Sequence, residues 1–262
     1  MKDLSGKVII VTGGTSGIGE ACVRHFVECG AKVVAASIQR EEGAKLVEEL
    51  GADSVHFVFT DVSDETSVVS MVAETVSVFG KIDSVHCNAG VWAKGMVTDF
   101  NDADWEKVMG VNVKGVFWTA KHAIPEIEKN ATGEKGSEQG VFLVTTSVAA
   151  QIGFPAHALY CASKAALEAL IRCLATDHAG KIRAVGISPG TIDTPMLAAT
   201  CEGWDAPVEE LYAQVEQKIP VRRLGQPLDI AKTAAFLLSR DSEYINGTIV
   251  TLDGGTMALP PW

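Results

Sequence analysis

Lys7-Val8-Ile9-Ile10-Val11-Thr12-Gly13-Gly14-Thr15-Ser16-Gly17-Ile18-Gly19 decides the fold. Its first half is a β-branched apolar run, which predicts a strand. Glycines end the run, and Ala21, Val23, Phe26 and Val27 then recur at helical spacing until Gly30. Strand, glycine turn and helix in that order make a site for an anion. Glycines let the backbone approach a ligand closely, and the first N–H groups of the helix have no internal partner. The spacing is G-x-x-x-G-x-G, not the G-x-G-x-x-G of the commonest dinucleotide fingerprint. Its place, straight after a first strand and opening a helix, still points to a pyrophosphate.

The alternation begun here continues along the chain. Strands are expected over 32–37, 54–59, 82–86, 140–146, 182–187 and 248–252, and helices over 41–50, 64–79, 102–129, 156–178 and 227–238. Residues 130–139 are polar and glycine-rich, as an exposed loop should be. Residues 196–218 are helical in pattern but interrupted by Gly203-Trp204 and Pro207. With no repeat, linker or composition break, the expected fold is α/β. It is a single-domain Rossmann-type doubly wound parallel sheet over 1–262, with helices on both faces and a mobile substrate flap at about 194–218.

Composition narrows the function classes. The chain has 262 residues, 47% of them apolar and 21% charged, with 22 Lys+Arg against 33 Asp+Glu, a formal charge of −11. That excludes a disordered chain and argues against nucleic-acid or anionic-membrane partners. No apolar run has the length of a membrane span or the layout of a signal peptide. The six cysteines show no C-x-x-C pair and the histidines are scattered singly, so a cytoplasmic protein without a metal is expected.

Tyr160 and Lys164 stand four residues apart, on one face of the expected helix 156–178. A lysine cation beside a phenol favours the phenolate and brings its proton exchange nearer neutral pH. Ser147 ends a strand thirteen residues before the tyrosine and can hold a carbonyl or alcohol oxygen beside it. By spacing alone, an amphipathic helix with a half-buried tyrosine and a solvated lysine is the commoner outcome. Asn112 lies among apolar neighbours in a helix, as either a locally bonded or a buried polar residue. In dinucleotide folds the end of the second strand selects the cofactor. Here it reads Ser37-Ile38-Gln39-Arg40, with no acid to bind a ribose 2′-hydroxyl and no cation at Ser16 or Ile38 for a 2′-phosphate. The reading leans to NAD over NADP.

In this order and spacing the motifs resemble the short-chain dehydrogenase/reductase superfamily over nearly the whole chain. The likeness rests on Thr12-Gly13, Gly17-Ile18-Gly19, Asp61-Val62, Asn88-Ala89-Gly90, Asn112, Ser147, Tyr160 with Lys164, and Pro189-Gly190. The stretch from Gly225-Gln226-Pro227 to Asp253-Gly254-Gly255 is similar to the oxoacyl-reductase-like members. Cys87 stands where the family more usually has asparagine, which is read as a packing change. The resemblance implies an oxidoreductase that moves hydride between a nicotinamide cofactor and a secondary alcohol or ketone. It makes Tyr160 the acid/base, Lys164 the group that tunes it and binds the nicotinamide ribose, and Ser147 the group that orients substrate. The Asn112 carbonyl would hold a relay water. Gly13, Ser16, Gly17, Ile18 and Gly19 would surround the pyrophosphate. Ser37, Asp61 and Val62 would meet the adenosine, supported by Asn88, Ala89 and Gly90. Pro189, Gly190, Ile192 and Thr194 would meet the carboxamide and phosphates. Substrate would touch 91–96, 148–157 and 191–212, including Trp92, Phe154, His157, Trp204 and Tyr212. A homotetramer is implied, with the apolar tail 257–262 packed on a neighbouring subunit. The competing class, a dinucleotide-binding sensor or scaffold without catalysis, would be expected to lack the tyrosine or lysine that this chain keeps.

Overall fold

The computed structural model describes residues 3–131, 138–201 and 207–258. Along the chain run β1 (Val8–Thr12), α1 (Gly17–Glu28), β2 (Lys32–Ser37), α2 (Arg40–Leu50), β3 (Val55–Phe59), α3 (Glu65–Phe79) and β4 (Ser84–Cys87). Next come α4 (Asp102–Met109), α5 (Gly115–Glu128), β5 (Gly140–Thr145), α6 (Ala158–Asp177) and β6 (Ile182–Pro189). The chain finishes with α7 (Pro195–Thr200), α8 (Val208–Lys218), α9 (Pro227–Leu238) and β7 (Ile249–Leu252). The seven strands form one sheet in the order β3-β2-β1-β4-β5-β6-β7. Every pairing is parallel.

Parallel neighbours need helical crossovers, and these cover both faces of the sheet. Period-two alternation then sends successive strand residues to opposite cores. Ile10 joins a cluster with Met71 of α3, Ile124 of α5 and Ile171 of α6. Its neighbours Ile9 and Val11 join another with Phe26 of α1, Leu46 of α2 and Ile230 of α9. The chain winds outward from β1 to β3, then crosses back to lay β4 against β1 on the other side. Strand ends diverge at that reversal, and the crevice they leave is where this kind of sheet binds ligands.

Helix ends follow their sequence signals. Asp64 caps α3 by accepting from the Thr66 N–H, and Gly80 closes that helix in the left-handed region at φ 80°. The expected helix over 102–129 departs from its pattern. It is α4 and α5 joined through a π-helical turn at Gly110–Lys114. α6 begins at Ala158, because Ala156 takes a left-handed φ of 57° and breaks the helix pattern before it. The expected flap comprises α7 and α8. Residues 202–206 between them, with Trp204, lie outside the described residues, as do 132–137 of the expected loop and 259–262 of the tail.

Candidate active site

The strand ends enclose a cavity of about 760 Å³. Around it stand Gly13, Ser16, Gly17, Ile18, Asn88, Ala89, Gly90, Ser147, Tyr160, Lys164, Pro189, Gly190, Ile192 and Thr194. The sequence separates these residues by up to 181 positions, and the topology brings them to one edge of the sheet.

The glycine turn forms one wall. Gly13 has φ +63°, and a Cβ there would lie 2.9 Å from Ala89 Cα. A Cβ on Gly19 would collide with the Gly13 carbonyl oxygen and the Asn88 amide. Gly19 is buried and does not line the cavity, and its lack of a side chain allows the close approach of α1 to β1. Ser16 is the N-cap of α1, and no side chain caps that helix. Its first N–H groups are therefore available to an anion. Thr12 at the end of β1 accepts from the Asn88 and Ala89 N–H groups at 3.0 and 3.1 Å, which fixes the two loops to each other. A cradle that a Cβ would fill, backed by unused donors, fits a pyrophosphate-bearing cofactor.

Ser37, Asp61 and Val62 do not line this cavity. They lie further along the same edge, at the ends of β2 and β3. Thr15 Oγ1 sits between Ser37 Oγ at 2.7 Å and Gln39 Oε1 at 2.9 Å. The Asp61 carboxylate accepts from the Ser63 N–H and hydroxyl. The Val62 side chain is core, lying against Gly115 where any larger residue would displace it. Arg40 lays its guanidinium over the Phe59 ring, 3.9 Å from its centroid.

Ser147, Tyr160 and Lys164 meet on the cavity floor. The Ser147 hydroxyl hydrogen-bonds the phenol of half-buried Tyr160. Lys164 is 4% exposed, lies 5.8 Å from the centre of the tyrosine ring and donates to the Thr145 carbonyl at 2.9 Å. Burial pushes the phenol above its ordinary value, against a smaller lowering by the Ser147 bond. The same burial brings Lys164 down to about 8. This reverses the expectation that the cation draws the phenol toward neutral pH. Desolvation penalises both charged forms and is the largest cause of each shift.

Asn112 is fully buried, and its side chain does not reach the cavity. Its Oδ1 accepts from the Val91 N–H at 2.8 Å. Its Nδ2 donates to the Val91 carbonyl at 2.8 Å and to Ser163 Oγ at 3.0 Å. Ser163 in turn donates to the Tyr160 carbonyl. The π turn thus carries a clamp that ties the loop after β4 to the tyrosine helix. Cys87 is buried in the core, its thiol bonded to Thr119 and pushed up by burial, in line with a packing role.

Thr145 and His86 are participants that the sequence reading missed. Thr145 donates to Asn88 Oδ1 at 3.2 Å, so its hydroxyl must accept from His86 Nε2 at 2.8 Å. His86 Nδ1 is then a bare acceptor, and it has no partner. A polar residue at the end of an apolar strand was the only available signal. Burial lowers His86 to about 3. Below pH ~6.5 the unfolded chain takes up a proton that the folded chain refuses, so folding stability falls with pH from ~6.5 toward 3. The expected loss is ~2 kcal/mol at pH 5. Replacement by glutamine (H86Q) should flatten that acid limb in urea titrations run across pH 4–7. An unchanged slope would mean that His86 does not control it.

Among the expected substrate residues, Trp92, Phe154 and His157 line the cavity. Tyr212 does not. No cluster of metal-ligating residues occurs among the described residues, and no described helix is long and apolar enough to cross a membrane.

Comparison with known proteins finds relatives over nearly the whole chain. The family described as enoyl-(acyl carrier protein) reductase matches residues 13–257. A probable tetrahydroxynaphthalene reductase from Zymoseptoria tritici is 34% identical, with 96% of this chain and 94% of that one covered. A meso-2,3-butanediol dehydrogenase from Serratia marcescens is also 34% identical, with 96% and 95% covered. The structure of a 3-ketoacyl-(acyl-carrier-protein) reductase from Brucella melitensis, complexed with NADH, superposes with a TM-score of 0.87 at 32% identity, covering 97% of this chain and 99% of that one.

Proposed function

The chain belongs to the short-chain dehydrogenase/reductase family, and we propose that Ser147, Tyr160 and Lys164 carry its chemistry. It is an oxidoreductase acting between a nicotinamide cofactor and a secondary alcohol or ketone. The observation that supports the residue assignment is the contact of the Ser147 and Tyr160 hydroxyls beside a buried lysine on the floor of the cavity.

A bound nicotinamide dinucleotide supplies or accepts the hydride. Ser147 orients the substrate oxygen. Tyr160, held protonated by burial, donates its proton to that oxygen as the carbonyl is reduced, and it takes the proton back in oxidation. Lys164 holds positive charge beneath the phenol and returns protons to it, and the Asn112 carbonyl in the π turn supports that relay. Gly13, Ser16, Gly17 and Ile18 cradle the pyrophosphate. Ser37 and Asp61 meet the adenosine end, and Pro189, Gly190, Ile192 and Thr194 meet the nicotinamide end. A spectrophotometric assay of NADH oxidation against a ketone panel tests the reading. Cofactor binding without turnover of any ketone or alcohol would assign the chain to sensing.

NAD is proposed over NADP, because the end of β2 offers neutral Ser37 and Gln39 while Arg40 is engaged on Phe59. Fluorescence titration should show tighter binding of NADH than of NADPH. The reverse order would give Arg40 a 2′-phosphate. The assembly is proposed to be a cytoplasmic homotetramer. None of the six cysteines is in a disulfide, Trp105 of α4 and Phe117 of α5 are each 51% exposed, and β7 ends the sheet without a further strand among the described residues. Exposed aromatics of this size are a common mark of subunit contacts. Sedimentation at micromolar concentration should give a species of four chains.

A further inference from the structure

We propose that His157 is a specificity-determining residue whose Nε2 accepts a hydroxyl on the far side of a ring-bearing ketone held against Trp92 and Phe154. The inference rests on the hydride-transfer reading above and names the class of substrate.

The imidazole is fixed in both position and tautomer. Its Nδ1 lies 2.7 Å from the Pro155 carbonyl oxygen, which can only accept, so Nδ1 carries the proton. In the neutral ring Nε2 is then a lone-pair acceptor, and no hydrogen bond reaches it from the described residues. The ring is sandwiched. Trp92 stacks on it with centroids 5.9 Å apart and an interplanar angle of 26°, and Phe154 meets it edge-on at 6.4 Å. All three residues line the cavity.

The backbone holds this group in place at a cost. Ala156 sits at φ 57°, a conformation that an alanine adopts with strain. Its carbonyl accepts from the Gly95 N–H at 2.8 Å, and Gly95 and His157 form an isolated parallel bridge. The loop bearing Trp92 is thereby pinned to the loop bearing His157. Strain kept at a cavity wall points to a demand of the ligand.

The neighbouring lining is mainly apolar, with Pro155, Met196 and Leu197, and Lys94 and Thr200 are polar members of it. His157 precedes Tyr160 by one helical turn, ~5 Å along the axis. A fused bicyclic ketone can bridge that span, with its carbonyl at Tyr160 and a phenolic hydroxyl at His157. A site that presents an unpaired acceptor favours the ligand that satisfies it over the analogue that cannot.

The test compares 1-tetralone with 6-hydroxy-1-tetralone, using 3-hydroxybutanone as a small acyclic ketone. Wild type should prefer the hydroxylated tetralone by about tenfold or more in kcat/KM. His157→Phe should bring that ratio close to one, mainly through KM, and His157→Gln, which keeps an acceptor, should restore part of it. NADH binding measured on each variant shows that it is folded. A wild-type ratio near one, or a ratio that survives in His157→Phe, overturns the proposal. Turnover of 3-hydroxybutanone alone also overturns it and leaves the hydride-transfer reading standing. NADH binding with no turnover of any of the three ketones removes both.

Discussion

Tyr160→Phe is expected to lower kcat for ketone reduction by about two to four orders of magnitude while leaving NADH affinity close to that of wild type. The change removes one hydroxyl and keeps the ring that packs in α6. What disappears is the phenolic hydroxyl that bonds to Ser147 on the cavity floor. Burial keeps that phenol protonated well past neutral pH. Reduction by the wild type should therefore be steady through neutral pH, whereas oxidation, which begins from the phenolate, should climb as pH rises. Stopped-flow NADH oxidation and a parallel fluorescence titration separate loss of chemistry from loss of binding. A variant that kept wild-type turnover would move the proton transfer to another group.

The second large effect has opposite signs for activity and stability. Lys164→Met should abolish measurable turnover and yet raise the melting temperature of the cofactor-free protein. Lys164 falls to about 8 in the fold, from ~10.4 in an unfolded chain. A base whose folded value is depressed works against folding at every pH below its folded value. Stability then recovers as pH climbs from about 8 to ~10.4. At neutral pH the cost is at most about 3 kcal/mol. Methionine fills similar volume without that cost, and it leaves the Thr145 carbonyl without a partner, which takes back ~1 kcal/mol. The balance is a gain of roughly 1–2 kcal/mol, or ~2–8 °C for a chain of this size. Differential scanning calorimetry at pH 7 checks it. A lower melting temperature would mean that the bond to Thr145 outweighs the burial of charge.

Much of this molecule was legible in its sequence because local patterns coincide with tertiary demands. The run Val8–Thr12 is apolar at every position because both faces of its sheet are covered, and Gly13 marks where backbone had to approach backbone. The Tyr160–Lys164 spacing survives because α6 is regular there. What stayed hidden was long-range and polar. Thr145 joins Lys164 to Asn88 and His86 through atoms that no periodicity reveals. The side-chain role of Asn112 depends on Val91 and Ser163, 21 and 51 residues away. A sequence shows which charges are neighbours and does not show how much water has been removed from them, so the burial that raises Tyr160 and lowers Lys164 was hidden as well.

The π turn at 110–114 bears on how a gene for this chain can change. Each residue added to or removed from a helix rotates all that follows by about 100°. Loss of a single codon there would withdraw Asn112 from its three bonds. The π turn can take up that loss by closing to an α turn, so Val116, Ala120, Ala123, Ile124 and Ile127 would keep facing the sheet while the clamp is lost. Substitutions along α4 and α5 can be absorbed one at a time. A residue inserted or deleted in the regular turns of either helix would instead rotate an apolar face away from the sheet.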